Sequence, residues 1–151
     1  MTLKLVTSRR DIVETLARPA ALFDLTAFPL VRIRMPEPGA GDVGARWVAE
    51  FDAILARETR FVLFSVGPVP EGEAHEDRKA RPLWLKQRRG ELGRLCLAHL
   101  HVEPDPARHA AMRNRAAKAS AAFPYSLEVF EGEDAALERA WTLLRAVPLT
   151  L

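Results

Sequence analysis

Apolar residues recur along the chain in two rhythms, one of short uncharged or alternating runs and one spaced by three and four, and the two take turns. Thr2 to Val6 has the look of a short strand, and Ser8 with Asp11 opens a helix whose Ile12, Val13 and Leu16 form a stripe until Pro19. Phe28 to Met35 reads as a strand, with Leu30, Ile33 and Met35 interleaved with Arg32 and Arg34, a pattern that suggests one exposed face or an edge position. After the Gly39 to Gly41 turn, Asp42 is placed to cap a helix carrying Val43, Trp47, Phe51, Ile54 and Leu55 on one face. Phe61-Val62-Leu63-Phe64, continued by Ser65-Val66, has no internal charge and fits a central strand covered on both faces, joined to the preceding one by a right-handed crossover.

Gly67 to Arg81 turns polar and is expected to be the longest irregular stretch, leaving the carboxyl end of a strand where ligands or partners usually meet an open sheet. Pro82 suits the first turn of a helix running to about Arg94, with Trp84, Leu85, Leu92 and Leu95 inward and with Gly90 and Gly93 weakening it. Leu95 to Val102 follows as a strand. Asp105-Pro106 starts an alanine-rich helix through Ala122 whose small side chains would pack closely on a sheet, Ser126 to Phe130 is a last strand, and Glu133-Asp134 open a helix with Leu137, Ala140, Trp141 and Leu144 as its buried stripe. This alternation predicts a single α/β domain over 1–151, a layered sheet of four to five strands, with 1–27 as an N-terminal β-α extension and 28–147 as the core.

Composition narrows the class further. The chain has 151 residues, 48% hydrophobic and 28% charged, as expected of a globular domain able to bury a core without disulfides. One cysteine, Cys96, excludes an intramolecular disulfide and a CxxC pair, and is read as a small buried hydrophobe. No apolar run reaches the length of a bilayer span and Met1 to Val6 lacks a secretory pattern, so no membrane association is expected and the protein is read as cytoplasmic. The net charge of +2 does not point to nucleic acid, but eleven basic against five acidic residues between Glu76 and Lys118 give that segment +6 and leave −4 elsewhere.

No GxGxxG, P-loop, GxSxG or HExxH is present, so no catalytic residue is assigned and no cofactor is expected. Arg78, Arg81, Arg88 and Arg89 are the candidate binding residues, because planar guanidinium forks near a helix start suit an anion or an acidic partner; the bland alternative is a solvated helix face with Trp84 in the core. His75, beside Glu76 and Asp77, has residue types for proton transfer, and is more simply part of a solvated charge run. His99 and His101, two apart on a strand, share a face, and with His109 could supply three imidazoles to zinc, yet no carboxylate or cysteine completes the set, and no metal is assigned.

The run Leu127-Glu128-Val129-Phe130-Glu131-Gly132-Glu133-Asp134-Ala135-Ala136-Leu137-Glu138-Arg139-Ala140-Trp141-Thr142-Leu143-Leu144, closing this alternation, resembles the STAS-like family related to the sporulation anti-sigma-factor antagonists, in element order over Pro29 to Leu144. The resemblance implies a compact sheet with helices mainly on one face and a regulatory role in docking to a protein, occasionally a small ligand, without catalysis. Signalling members carry a phosphorylatable hydroxyl in an Asp-Ser-Ser-Gly-type turn. Here that stretch is Ser65-Val66-Gly67-Pro68-Val69-Pro70-Glu71-Gly72, with Ser65 inside the apolar run, so the phosphoswitch is not carried over.

The expectation is therefore a non-catalytic STAS-like protein-binding module that docks an acidic protein partner through residues 68–89. The alternatives are a small anionic-ligand-binding protein or enzyme with a pocket under the 68–81 loop, using His75 or His99 as acid or base, and a homodimer paired through the Phe28 to Met35 strand or the alanine-rich helix.

Overall fold

The computed structural model describes residues 21–34, 43–68, 75–119 and 123–150, with backbone alone described over 75–80. The strand at Thr2 to Val6, the helix from Ser8 and the Asp42 cap lie outside the described residues. The others form an α/β fold around one five-stranded mixed sheet: β1 (Phe23–Asp24), β2 (Leu30–Ile33), α1 (Val43–Leu55), β3 (Phe61–Val66), α2 (His75–Gln87), α3 (Arg89–Leu95), β4 (Cys96–Val102), α4 (Pro106–Ala119), β5 (Ser126–Phe130) and α5 (Glu133–Ala146). The strands lie in the order β1-β2-β3-β4-β5. β2 through β5 are parallel, β3, β4 and β5 each being reached by a helical connection, and β1 joins β2 antiparallel.

β3 is central, as its uncharged sequence predicts, and its alternate residues feed two separate cores. Phe61 and Leu63 meet Val31 of β2, Phe51, Ile54 and Leu55 of α1, Trp84 of α2, and Leu92 and Leu95 of α3. Val62 and Phe64 meet Leu30, Ala98, Leu100 and Val102 under Ala136, Ala140 and Leu144 of α5. Three helices thus cover one face and α5 covers the other.

Several expectations change. β2 is not an edge strand: β1 pairs along its outer side, a two-residue element too short to leave a periodic signal. The side chain of Glu50 on α1 holds β1 in place by accepting the backbone N–H groups of Leu22 at 3.1 Å and Phe23 at 3.0 Å. The stretch after β3 is not a loop as far as Arg81, because α2 begins at His75 and carries Pro82 inside it. A helical proline costs a backbone hydrogen bond, but Trp84, buried to 3% exposure two residues on, anchors the helix regardless. The glycine-weakened helix is in fact two, divided at Arg88.

The final helix matches in position but not in every inward residue. Its buried positions Ala136, Ala140 and Leu144 repeat every fourth residue, which leaves Trp141 on the outer side, 44% exposed. α4 lies against β5, yet none of its residues is buried, so its alanines do not form the close contact their size suggests.

Candidate functional site

β3 and β4 run parallel, with Leu63 beside His99 and Ser65 beside His101. A plain ladder would not produce this facing. Phe61 pairs with Cys96 and Val62 with Ala98, so Leu97 is an extra residue that re-phases the rest of β4. His99 and His101 consequently share the face of Leu63 and Ser65 rather than that of Phe64. Near the carboxyl end of this face the apolar cluster gives way to polar side chains.

Ser65 is buried, and its hydroxyl lies 2.8 Å from His99 Nε2 and 2.7 Å from His101 Nδ1. One hydroxyl proton serves two imidazoles, so one ring donates to Oγ and the other accepts from it. Burial, and secondarily the neighbouring His101, hold the His99 pKa down to about 4, so His99 is neutral near pH 7. Burial also lowers His101, against the opposing pull of the Gly67 carbonyl and the Glu103 charge.

Two residues past His101, Glu103 is buried to 1% exposure, and its backbone N–H extends the ladder to the Phe130 carbonyl at 2.8 Å. Its Oε1 accepts the Nε–H of Arg108. The local sequence explains that pairing: Asp105 caps α4 as expected, its carboxylate accepting the Arg108 backbone N–H at 2.9 Å, and the capped first turn sends the Arg108 side chain back to Glu103. Gly67 closes the site after β3 with φ +94°, a left-handed conformation that favours glycine, and donates its N–H to the Val102 carbonyl at 2.9 Å. His101 Nε2 and Glu103 Oε2 are both buried and meet no hydrogen-bond partner among the described residues.

The proposed arginine cluster is differently arranged. Arg88 Nε donates to Asp52 at 3.1 Å, and the same carboxylate oxygen accepts the Trp84 indole N–H at 2.8 Å. Arg81 is half-buried over the Trp47 ring, 5.9 Å from its centroid, and burial lowers its pKa. Arg89 is exposed. The side chains of Arg78 and His75 lie outside those described. Two of the four arginines are thus committed at least in part to holding α2 on α1.

His99 and His101 come together, but no group of three histidine, cysteine or acidic side chains among the described residues assembles as a metal site, so His109 does not complete the zinc arrangement. Cys96 is buried, which pushes its thiol pKa up, as fits a packing residue. Sequence reasoning passed over Ser65, Glu103 and Arg108 as site residues. A hydroxyl interrupting an otherwise apolar strand and a glutamate directly after a histidine-bearing strand were the available signals.

No described helix is long and apolar enough to cross a membrane. Comparison of the chain with protein-family models, curated proteins and solved structures finds no match.

Proposed function

We propose that this protein is a small α/β binding module that takes its ligand at the carboxyl end of β3 and β4, on the row formed by Ser65, His99, His101 and Glu103. The observation that carries the reading is the Ser65 hydroxyl held between two imidazoles at 2.8 and 2.7 Å. Polar side chains buried where a core would otherwise continue are costly unless they serve one another or a ligand, and the carboxyl end of a parallel sheet is where open α/β folds bind. The site has a relayed hydrogen bond, but the Ser65 hydroxyl is engaged by both imidazoles. Binding without chemistry is therefore preferred to catalysis, in keeping with what the STAS-like resemblance implies.

The test is a screen of small neutral, anionic and cationic fragments against the ¹⁵N-labelled protein. Amide and imidazole shifts concentrated at Ser65 to Gly67 and His99 to Glu103 are expected. Fragments that shift only residues elsewhere, or none at all, overturn the reading.

A second reading, docking of an acidic protein partner through α2, draws on one observation: Leu83 is 60% exposed, with exposed Lys86 and Arg89 close by in sequence. It retains the docking and regulatory expectation on a narrower surface. Replacing Lys86 by glutamate should weaken salt-sensitive capture of an acidic partner and leave the fold unchanged. Capture equal to that of the unmodified chain removes this reading.

A further inference from the structure

We propose that the group held at this site is an uncharged carboxamide-type function, whose N–H is accepted by Glu103 Oε2 and whose carbonyl oxygen is received by His101 Nε2–H. This rests on the binding-module reading and goes on to name the chemistry of the ligand.

The two atoms that define it are separate from the hydrogen bonds that hold the cluster together. Ser65 occupies His101 Nδ1 and Arg108 occupies Glu103 Oε1, leaving on each side chain one buried polar atom without a hydrogen bond among the described residues; the Gly67 carbonyl pulls on the His101 ring but closes no hydrogen bond to Nε2. His101 is 2% and Glu103 1% exposed, so both atoms are shielded from bulk water. Leaving such groups unsatisfied is costly, which favours a ligand able to meet both. The residues are two apart along adjoining backbone, the separation at which side chains on one face stand side by side.

Charge selects among ligands. The Glu103 carboxylate is already matched by the Arg108 guanidinium and His101 is held toward its neutral form by burial, so the enclosure is close to electrically balanced. A cationic ligand would add an unmatched positive charge beside Arg108, and an anionic one would face the carboxylate. Either burial is penalised far more than that of a neutral dipole.

Tautomerism supplies the remaining complementarity. Glu103 Oε2 can only accept. His101 can present either Nε2–H or a bare Nε2, because the single Ser65 proton can point to either imidazole while the other ring donates to Oγ. When the Ser65 hydroxyl donates to His101 Nδ1, the ring hydrogen sits on Nε2, which donates. The resulting acceptor and donor match an amide edge, a pattern shared by primary carboxamides and by the amide edge of a nucleobase.

Acetamide, acetate and acetamidinium have the same heavy-atom outline and differ in charge, so they separate the possibilities on the unmodified chain. Titrated separately and followed by the His101 imidazole and Glu103 amide resonances, acetamide is expected to bind at least about tenfold more tightly than either ion. Glu103→Gln, which can turn its oxygen to Arg108 and its NH₂ to the ligand, should weaken acetamide at least about tenfold while preserving the amide spectrum of the sheet. Tighter binding of acetate or of acetamidinium overturns the proposal, as does failure of all three to bind. If screening fragments nonetheless shift Ser65 and His99, the binding-module reading survives while the carboxamide assignment falls. If no fragment shifts this row, both fall. Should Glu103→Gln fail to fold, the three-probe comparison on the unmodified chain still decides.

Discussion

Asp52 on α1 accepts the indole N–H of Trp84 on α2 at 2.8 Å, and this hydrogen bond joins the two helices at the edge of an aromatic cluster. Trp84 lies 4.6 Å from the Phe51 ring and 5.0 Å from that of Trp47, centroid to centroid. Arg88 reaches the same Asp52 oxygen, so the carboxylate serves a buried donor and a surface cation together. One arginine of the basic segment thereby helps to hold α2 on α1.

Asp52→Ala should destabilise the fold by about 1–3 kcal/mol, chiefly by leaving the Trp84 N–H without its partner. The Arg88 contribution is smaller, since that ion pair is over a third exposed on both sides and is worth roughly 0–1 kcal/mol. Urea denaturation of Asp52→Ala, Trp84→Phe and the double variant measures the coupling. Strict additivity of the two single losses would remove the proposed link.

Stability should fall as the pH drops from about 6.5 toward 4. Folded His99 resists protonation until about pH 4, whereas the unfolded chain takes up the proton near 6.5, so the unfolded state binds more protons across this window. The contribution is fully present above the window, and because His99 keeps some exposure its loss by pH 4 amounts to at most about 3 kcal/mol. Carboxylates titrate in the same range, so the measurement is the difference in unfolding free energy between the unmodified chain and His99→Gln at several pH values. A difference that does not vary with pH contradicts this assignment.

The two helix tryptophans should respond unequally to truncation. Trp47 packs against Phe23, Phe51 and Trp84, and Trp47→Ala is expected to cost about 3–5 kcal/mol. Trp141 stands 44% exposed, and Trp141→Ala should cost less than about 1 kcal/mol. Equal losses on thermal or urea unfolding would contradict the register of α5.

Glu50→Ala should release β1 selectively. Both carboxylate oxygens are used on consecutive backbone N–H groups, so hydrogen exchange at Leu22 and Phe23 should accelerate by about tenfold or more while β3 amides remain protected. Uniform acceleration across the sheet would show a global rather than a local role.

The α/β alternation, the central place of Phe61 to Val66, the Asp105 cap and the bounds of β5 were legible along the chain, because each depends on periodicity or on turn chemistry carried by neighbouring residues. The sequence also placed His99 and His101 on one face of a strand, since that follows from the two-residue repeat. Which face they share depends on how β4 pairs with β3. The extra residue at Leu97 turns both histidines toward Ser65, a residue 34 positions before His99, and a one-residue change in pairing would have sent them under α5 instead. The covering of β2 by β1, the turning of Arg88 to Asp52 and the return of Arg108 to Glu103 were likewise not settled by local pattern: each depends on how elements dock, and docking is governed by packing and charge matching between segments brought together in folding.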